Sequence, residues 1–311
     1  MTSNVAKSLA LTNPTFYKEL LDQMSDGVYF VDRDREIHYW NAGAYRLTGY
    51  KSEELIGKCC KDDILCHVDL EGNSLCKESC PLVACINDGK FREADVFLRH
   101  KEGRRVPVHV RVQPLYDERG SIAGAIEIFS DISAEMDTRR KIEEMRRLAF
   151  LDHLTQLPNR RLLELLTSSA QSEFLVHGEP FGVLIFDVDD FKTINDRYGH
   201  SCGDRALQQL ARIVSNALRP SDAFGRWGGD EFLAIIHNAD VEVLRGLAER
   251  CAMLARQTLI STGEGHQISL SISLGAALSR FEEDSQALIE RADKLMYQSK
   301  AAGRGRATTE E

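Results

Sequence analysis

The stretch that decides the reading is GRWGGDEFLAII, Gly225 to Ile236. Two glycines precede two adjacent carboxylates, Asp230 and Glu231, and the apolar run FLAII follows. The glycines mark a tight turn and the apolar run a buried strand. Carboxylates side by side at a hairpin tip repel each other, so the pattern calls for a positive charge at that place.

A second acidic group has the same setting. In FGVLIFDVDDFK, Asp187, Asp189 and Asp190 emerge at the end of a strand-sized apolar run. Any one of these acids alone reads as a polar strand terminus. Two groups on separate strands can converge on a hard cation such as magnesium or manganese, with phosphate oxygens and water completing its shell. Gly228 and Gly229 then leave the backbone open to a nucleotide. Lys300 and Arg304, in YQSKAAGRG, are four residues apart and share a face if the helix persists that far. They read as ordinary basic residues at a helix end or, with Lys192, as a phosphate clamp.

The chain of 311 residues suits two domains. Its net charge of −9 argues against a broad nucleic-acid surface. No apolar run approaches the length of a membrane helix, about 20 residues. The start, MTSNVAKSLALTNPTF, is a poor secretion signal. A cytoplasmic protein without a membrane span is expected.

From Leu151 onward, apolar strands (FGVLIF, FLAII, QISLSISLGAAL) alternate with amphipathic helices, which predicts an α/β (α+β) domain with helices on the faces of a central sheet. Before it, ISAEMDTRRKIEEMRRLAF, Ile132 to Phe150, lacks Gly and Pro and carries a sparse apolar stripe of Ile132, Met136, Ile142, Met145 and Ala149. It reads as a solvated linker helix or as a short two-stranded coiled coil. The N-terminal part is mixed. GVYFVDRDREIHYWN predicts two strands around a turn, with Val28, Phe30, Ile37 and Tyr39 among their apolar positions, and Ser52 caps a short helix. Val106, Val108, Val110 and Val112 alternate along a half-buried antiparallel strand.

Four blocks, DHLTQLPNRR, FDVDDFKTINDRYGHSCGD, RPSDAFGRWGGDEF and RADKLMYQSKAAGR, resemble in order those of the GGDEF domain of diguanylate cyclases, with its nucleotidyl-cyclase-like fold. The resemblance implies condensation of two GTP into cyclic di-GMP with release of two pyrophosphates. It implies Asp187 and Asp230 as metal ligands with the Val188 carbonyl assisting, and Glu231 beside the attacking 3′-hydroxyl. It implies Asn195 and Asp204 as guanine readers, and Lys192, Lys300 and Arg304 on phosphates. The RxxD of RPSD, Arg219 and Asp222, corresponds to an inhibitory product site, with Arg250 a further arginine there. Two facing sites require a homodimer, which favours pairing through the N-terminal domain and the linker helix. Gln156 stands where the family more usually has Gly. The alternatives are a silent GGDEF receptor for cyclic di-GMP, or a metal or redox sensor acting through protein contacts.

Residues 13–133 resemble a PAS sensor domain, on DGVYFVDRDREIHYWNAGAYRLTGYKSEELIGK and VHVRVQPLYDERGSIAGAIEIFSDIS. The expected organisation is a PAS domain over 13–133, a linker over 134–150 and a GGDEF domain over 151–306. Six of the eight cysteines fall between Cys59 and Cys85, in a segment unusual for PAS domains. Cys60, Cys66, Cys76 and Cys80 are the preferred set for a zinc ion or an iron–sulfur cluster. Redox thiols and buried packing thiols are the other readings.

Overall fold

The computed structural model describes residues 14–60, 62, 64–78, 80–262 and 267–310, without the side chains of residues 14, 77 and 78. The domain start expected at Asn13 and most of the stretch read as a poor secretion signal lie outside the described residues. The chain divides into two units, Met1–Lys141 and Ile142–Glu311.

The first unit contains α1 (Pro14–Gln23), β1 (Gly27–Asp32), β2 (Ile37–Trp40), α2 (Ala42–Thr48), α3 (Ser52–Leu55), α4 (Leu75–Glu78), α5 (Pro81–Asp88), β3 (Arg92–Arg99), β4 (Arg105–Tyr116) and β5 (Ile122–Asp131). Its strands form one antiparallel sheet in the order β2-β1-β5-β4-β3. The four alternating valines of β4 are all buried. Strand β1 departs from alternation, with Val28, Tyr29 and Val31 all buried, and its register against β2 shifts between Phe30 and Val31 at a bulge that holds the extra residue His38 in β2. The cap of α3 is Lys51, one residue earlier than expected, and its backbone N–H donates to Glu54 Oε2 at 2.9 Å.

Strand β5 also carries an acid into this core. Glu127 lies in register between Tyr29 and Val112 and is 2% exposed. His67 Nε2, in a residue 8% exposed, is 3.6 Å from Glu127 Oε1, and neither atom has a hydrogen-bond partner among the described residues. Burial pushes the Glu127 carboxyl up to about 7 and the His67 imidazole down to about 4.

Helix α6 (Ser133–Phe150) follows, with no buried side chain. Ile142, Met145 and Leu148 stand exposed along it. The second unit then contains α7 (Arg160–His177), β6 (Phe181–Val188), α8 (Phe191–Tyr198), α9 (His200–Ala217), β7 (Ala223–Gly228), β8 (Glu231–His237), α10 (Val241–Gln257), β9 (Leu259–Ser261), β10 (Gln267–Ser269), β11 (Ile272–Leu278), α11 (Ser285–Ala301) and β12 (Ala307–Thr309). The sheet order is β12-β11-β6-β8-β7, antiparallel except for the β11–β12 pair. QISLSISLGAAL is two strands rather than one: β10 pairs with β9, and the chain breaks at Leu270 and Ser271 before β11 joins the main sheet.

The continuous apolar runs follow from burial on both faces. Leu184, Phe186 and Phe232 pack with residues of α9 and α10, while Val183, Ile185, Leu233 and Ile235 pack with residues of α7 and α11. Each such side chain contributes roughly 2 kcal/mol by leaving water. The central strands β6 and β8 are thereby fixed in register, and the acids at their ends are fixed with them. Among the described residues, no helix is long and apolar enough to cross a membrane.

The first unit has a testable pH signature. A glutamate whose folded pKa exceeds its unfolded value costs stability as pH rises from 4.5 through about 7. A histidine held low costs stability as pH falls from 6.5 through about 4, so the two groups oppose each other over the shared window. Glu127→Gln removes one side of this balance. Relative to the parent, its N-terminal urea transition should strengthen between about pH 5 and about pH 8, by on the order of 3 kcal/mol. A pH-independent difference contradicts the assignment.

Candidate active site

Pairing of β6 with β8 sets Asp187 directly opposite Glu231. The β7–β8 hairpin closes with Gly228 opposite Glu231, so Gly229 and Asp230 form its tip. Gly229 has φ +55°, a conformation that glycine adopts without strain. A Cβ at Gly228 or Gly229 would meet nothing within 4 Å, so this side of the turn is open. The Val188 N–H donates to the Asp230 carbonyl at 3.3 Å and ties the tip to the end of β6.

Lys300 Nζ lies 2.6 Å from Asp187 Oδ2. Burial raises the Asp187 pKa; Lys300 opposes the shift, and Asp230 and Asp189 add to it. Burial also raises Glu231, reinforced by Asp187, Asp293 and Asp230. The acids therefore crowd one another as the sequence predicts, and one ammonium group partly relieves them.

Beyond β6, Asp190 turns the chain with φ +53° into α8. Lys192 is exposed on this helix. Asn195 follows on α8, and its buried Oδ1 has no hydrogen-bond partner among the described residues. A Cβ at Gly203 would come within 2.0 Å of that oxygen, so the missing side chain on α9 makes room for the Asn195 amide. Asp204, the next residue, is exposed. Helix α11 ends at Ala301, so Lys300 and Arg304 do not share a helical face as the four-residue spacing suggested. A loop with positive φ at Gly303, Arg304 and Gly305 carries Arg304 instead, and its Nε lies 3.7 Å from Asp190 Oδ1.

Arg219 and Asp222 sit in the turn between α9 and β7. The Asp222 carboxylate accepts from the Arg219 N–H at 3.0 Å and from the His237 N–H at 3.3 Å, leaving the Arg219 side chain exposed. Arg250 of α10 donates to the Ala217 carbonyl, two residues before Arg219 in the chain. It also lines a cleft of about 450 Å³ with Ile213, Asn216 and Leu254.

Arg226, inside the quoted stretch, has a role the sequence reading missed. Its guanidinium donates to the Gly229 carbonyl at 2.6 and 2.9 Å and pairs with Asp152 Oδ2 at 3.1 Å. It thus braces the acidic turn against the segment that follows α6. The signal was an arginine two residues before GGDEF and an aspartate opening DHLTQLPNR. Gln156 takes the left-handed conformation, φ +58°, which suits the glycine usual there. Its amide oxygen accepts from Arg147 Nε at 2.9 Å, and its amide nitrogen donates to the His153 carbonyl at 2.7 Å.

Among the described residues, no group of three or more His, Cys, Asp and Glu side chains is placed to hold a metal ion. The zinc or cluster site expected at Cys60, Cys66, Cys76 and Cys80 therefore has no support in this arrangement, since structural zinc takes four protein ligands. The thiols are spread over a loop, a left-handed position at Cys66, helix α4 and the cap of α5. Cys60 and Cys80 pack against the apolar core. Burial pushes Cys76 up to about 11 and raises Cys60 and Cys80 as well, so they stay protonated at neutral pH. At Asp187 and Asp230 a smaller ligand set is what magnesium uses, because it takes one or two carboxylates and completes its shell with substrate phosphates and water.

A family model described as diguanylate cyclase, GGDEF domain, matches residues 149–306, and a PAS domain model matches residues 25–134. The chain belongs to the GGDEF family. It is 32% identical over 219 residues to diguanylate cyclase DosC of Escherichia coli (strain K12), covering 70% of this chain and 45% of that protein. It is 28% identical over 296 residues to the probable diguanylate cyclase DgcE of the same organism, covering 94% of this chain and 26% of that protein. The chain therefore spans less than half the length of these two relatives. The crystal structure of the coiled coil and GGDEF domain of DgcB from Caulobacter crescentus, in complex with c-di-GMP, aligns with a TM-score of 0.55 at 28% identity, over 57% of this chain and 95% of that one.

The brace predicts energetic coupling in the GGDEF unit. A double-mutant cycle of Asp152→Asn and Arg226→Met, read by urea denaturation, should give roughly 1–2 kcal/mol of interaction. Additive effects contradict it.

Proposed function

We propose that this chain is a diguanylate cyclase that condenses two GTP into cyclic di-GMP. The observation that carries the reading is Asp187 opposite Glu231, with Lys300 against Asp187 and the open glycine turn beside them. In each half-reaction the 3′-hydroxyl of one GTP attacks the α-phosphorus of the other. One phosphodiester bond forms and one pyrophosphate leaves; a second, equivalent attack closes the ring.

Asp187 and Asp230, with the Val188 carbonyl, would hold magnesium or manganese. Such an ion would supply charge neutralisation at the phosphates. Glu231, raised by burial and its acidic neighbours, accepts the proton of the attacking hydroxyl. Lys192, Lys300 and Arg304 hold phosphate oxygens, and Lys300 exchanges Asp187 for phosphate when substrate arrives. Asn195 and Asp204 read guanine: a carboxylate accepts from both N–H donors of its edge, and the Asn195 amide oxygen has no partner among the described residues.

One such site holds one GTP, so the product requires two chains facing each other. The exposed Ile142, Met145 and Leu148 of α6 support pairing through that helix. The PAS unit is the regulatory input. Exposed Arg219, Asp222 and nearby Arg250 form the inhibitory product site, where an arginine can fork onto the guanine edge.

Asp230→Ala should lower turnover by at least about 100-fold while cyclic di-GMP binding persists. Chelation of divalent cations should silence the parent equally. A parent chain that binds cyclic di-GMP without turning over GTP establishes the silent-receptor alternative instead. Arg219→Ala should leave initial rates unchanged and relieve inhibition by added product, shifting the half-inhibitory concentration upward by about tenfold or more; an unchanged value contradicts the RxxD assignment.

A further inference from the structure

The central acid of DVDD takes no part in the roles assigned above, yet it is buried and fully engaged. Asp189 is 6% exposed. Its Oδ1 accepts from Ser273 Oγ at 2.7 Å, and its Oδ2 accepts from Ser271 Oγ at 2.5 Å and from the Gly305 N–H at 2.9 Å. Its own N–H donates to the Ser271 carbonyl at 2.9 Å. All these partners are neutral, so the carboxylate is held by directed hydrogen bonds rather than by an ion pair.

We propose that Asp189 is a positioning residue for the triphosphate: it fastens the loop that carries Arg304 to the strand end that carries Asp187. The proposal rests on the cyclase reading of the site. The loop after α11 has little regular structure to hold it, with φ of +107°, +58° and +59° at Gly303, Arg304 and Gly305. An arginine in the left-handed region persists where its surroundings hold it there. Those surroundings are on view. Asp189 takes the Gly305 N–H, Arg256 donates to the Gly305 carbonyl, and the Leu274 N–H donates to the Arg306 carbonyl at 2.9 Å.

The position of Asp189 in the chain gives this anchor its consequence. Two residues before it stands Asp187, paired with Lys300; one residue after it stands Asp190, whose carboxylate faces Arg304. A single buried side chain therefore fixes the Arg304 loop relative to the strand end that carries Asp187. Ser271 and Ser273, on either side of Ile272 at the start of β11, both turn their hydroxyls to Asp189. Buried beneath the loop, Asp189 acts through Arg304 rather than on the nucleotide.

The test uses the full chain with Asp189→Asn, which keeps the shape but weakens three accepted bonds. Steady-state kcat and KM for GTP are measured beside the dissociation constants of a non-hydrolysable GTP analogue and of guanosine. The expected result is a rise of about tenfold in KM and in the analogue's dissociation constant, with guanosine affinity within about twofold of the parent. Equal weakening for both ligands, or no weakening for either, overturns the proposal. If the variant does not fold, Ser271→Ala removes one donor at lower risk; it should weaken the analogue selectively by about threefold, and unchanged analogue affinity overturns the proposal. A parent that makes no cyclic di-GMP, with the selective loss seen in the variants, sinks the cyclase reading and leaves the positioning role standing. Turnover in the parent without selective loss in the variants does the reverse.

Discussion

The second unit is organised around a repulsion that folding imposes. Burial of β6 and β8 on both faces fixes their register, and that register puts Asp187 across from Glu231 with Asp230 at the adjoining tip. Desolvation raises the cost of each charge. Lys300 is the compensation present in the protein itself, and a cation with nucleotide phosphates is what the geometry invites. Neighbouring features serve this arrangement: the conformation of Gly229, the brace from Arg226, and the anchoring of the Arg304 loop by Asp189.

Much of the site was legible because each signal was local. FGVLIF and FLAII had to be buried strands, and acids directly after or before such runs had to appear at strand ends. The cross-strand partner of Asp187 could not be read that way, since register is a property of two segments together. The spacing of Lys300 and Arg304 misled for a related reason. Four residues imply a shared face only while a helix lasts, and the glycines of AAGRG end it at Ala301. The family blocks named the candidate residues; the loop that places Arg304 came from the structure. Asp152–Arg226 and Asp189–Ser273 join residues 74 and 84 positions apart, and no periodicity announces such pairs.

The first unit was legible as a sheet but not as a chemical site. The valines of β4 alternate because one face is wet, and the structure keeps that pattern. The cysteines were read by composition, which says nothing about convergence. They sit on separate short elements, and Cys60 and Cys80 pack against the apolar core with thiols raised by burial. The less conspicuous polar groups of this core, Glu127 and His67, lie on a strand and a loop where nothing in the local pattern marks them as partners.

The central claim is that the opposed acids are built for a divalent cation that arrives with nucleotide. Manganese uptake followed by paramagnetic resonance, with and without a non-hydrolysable GTP analogue, tests it in the parent chain and in Asp187→Asn. The account predicts strong uptake by the parent only when the analogue is present, and loss of that uptake in the variant. Uptake that is the same in both chains contradicts it.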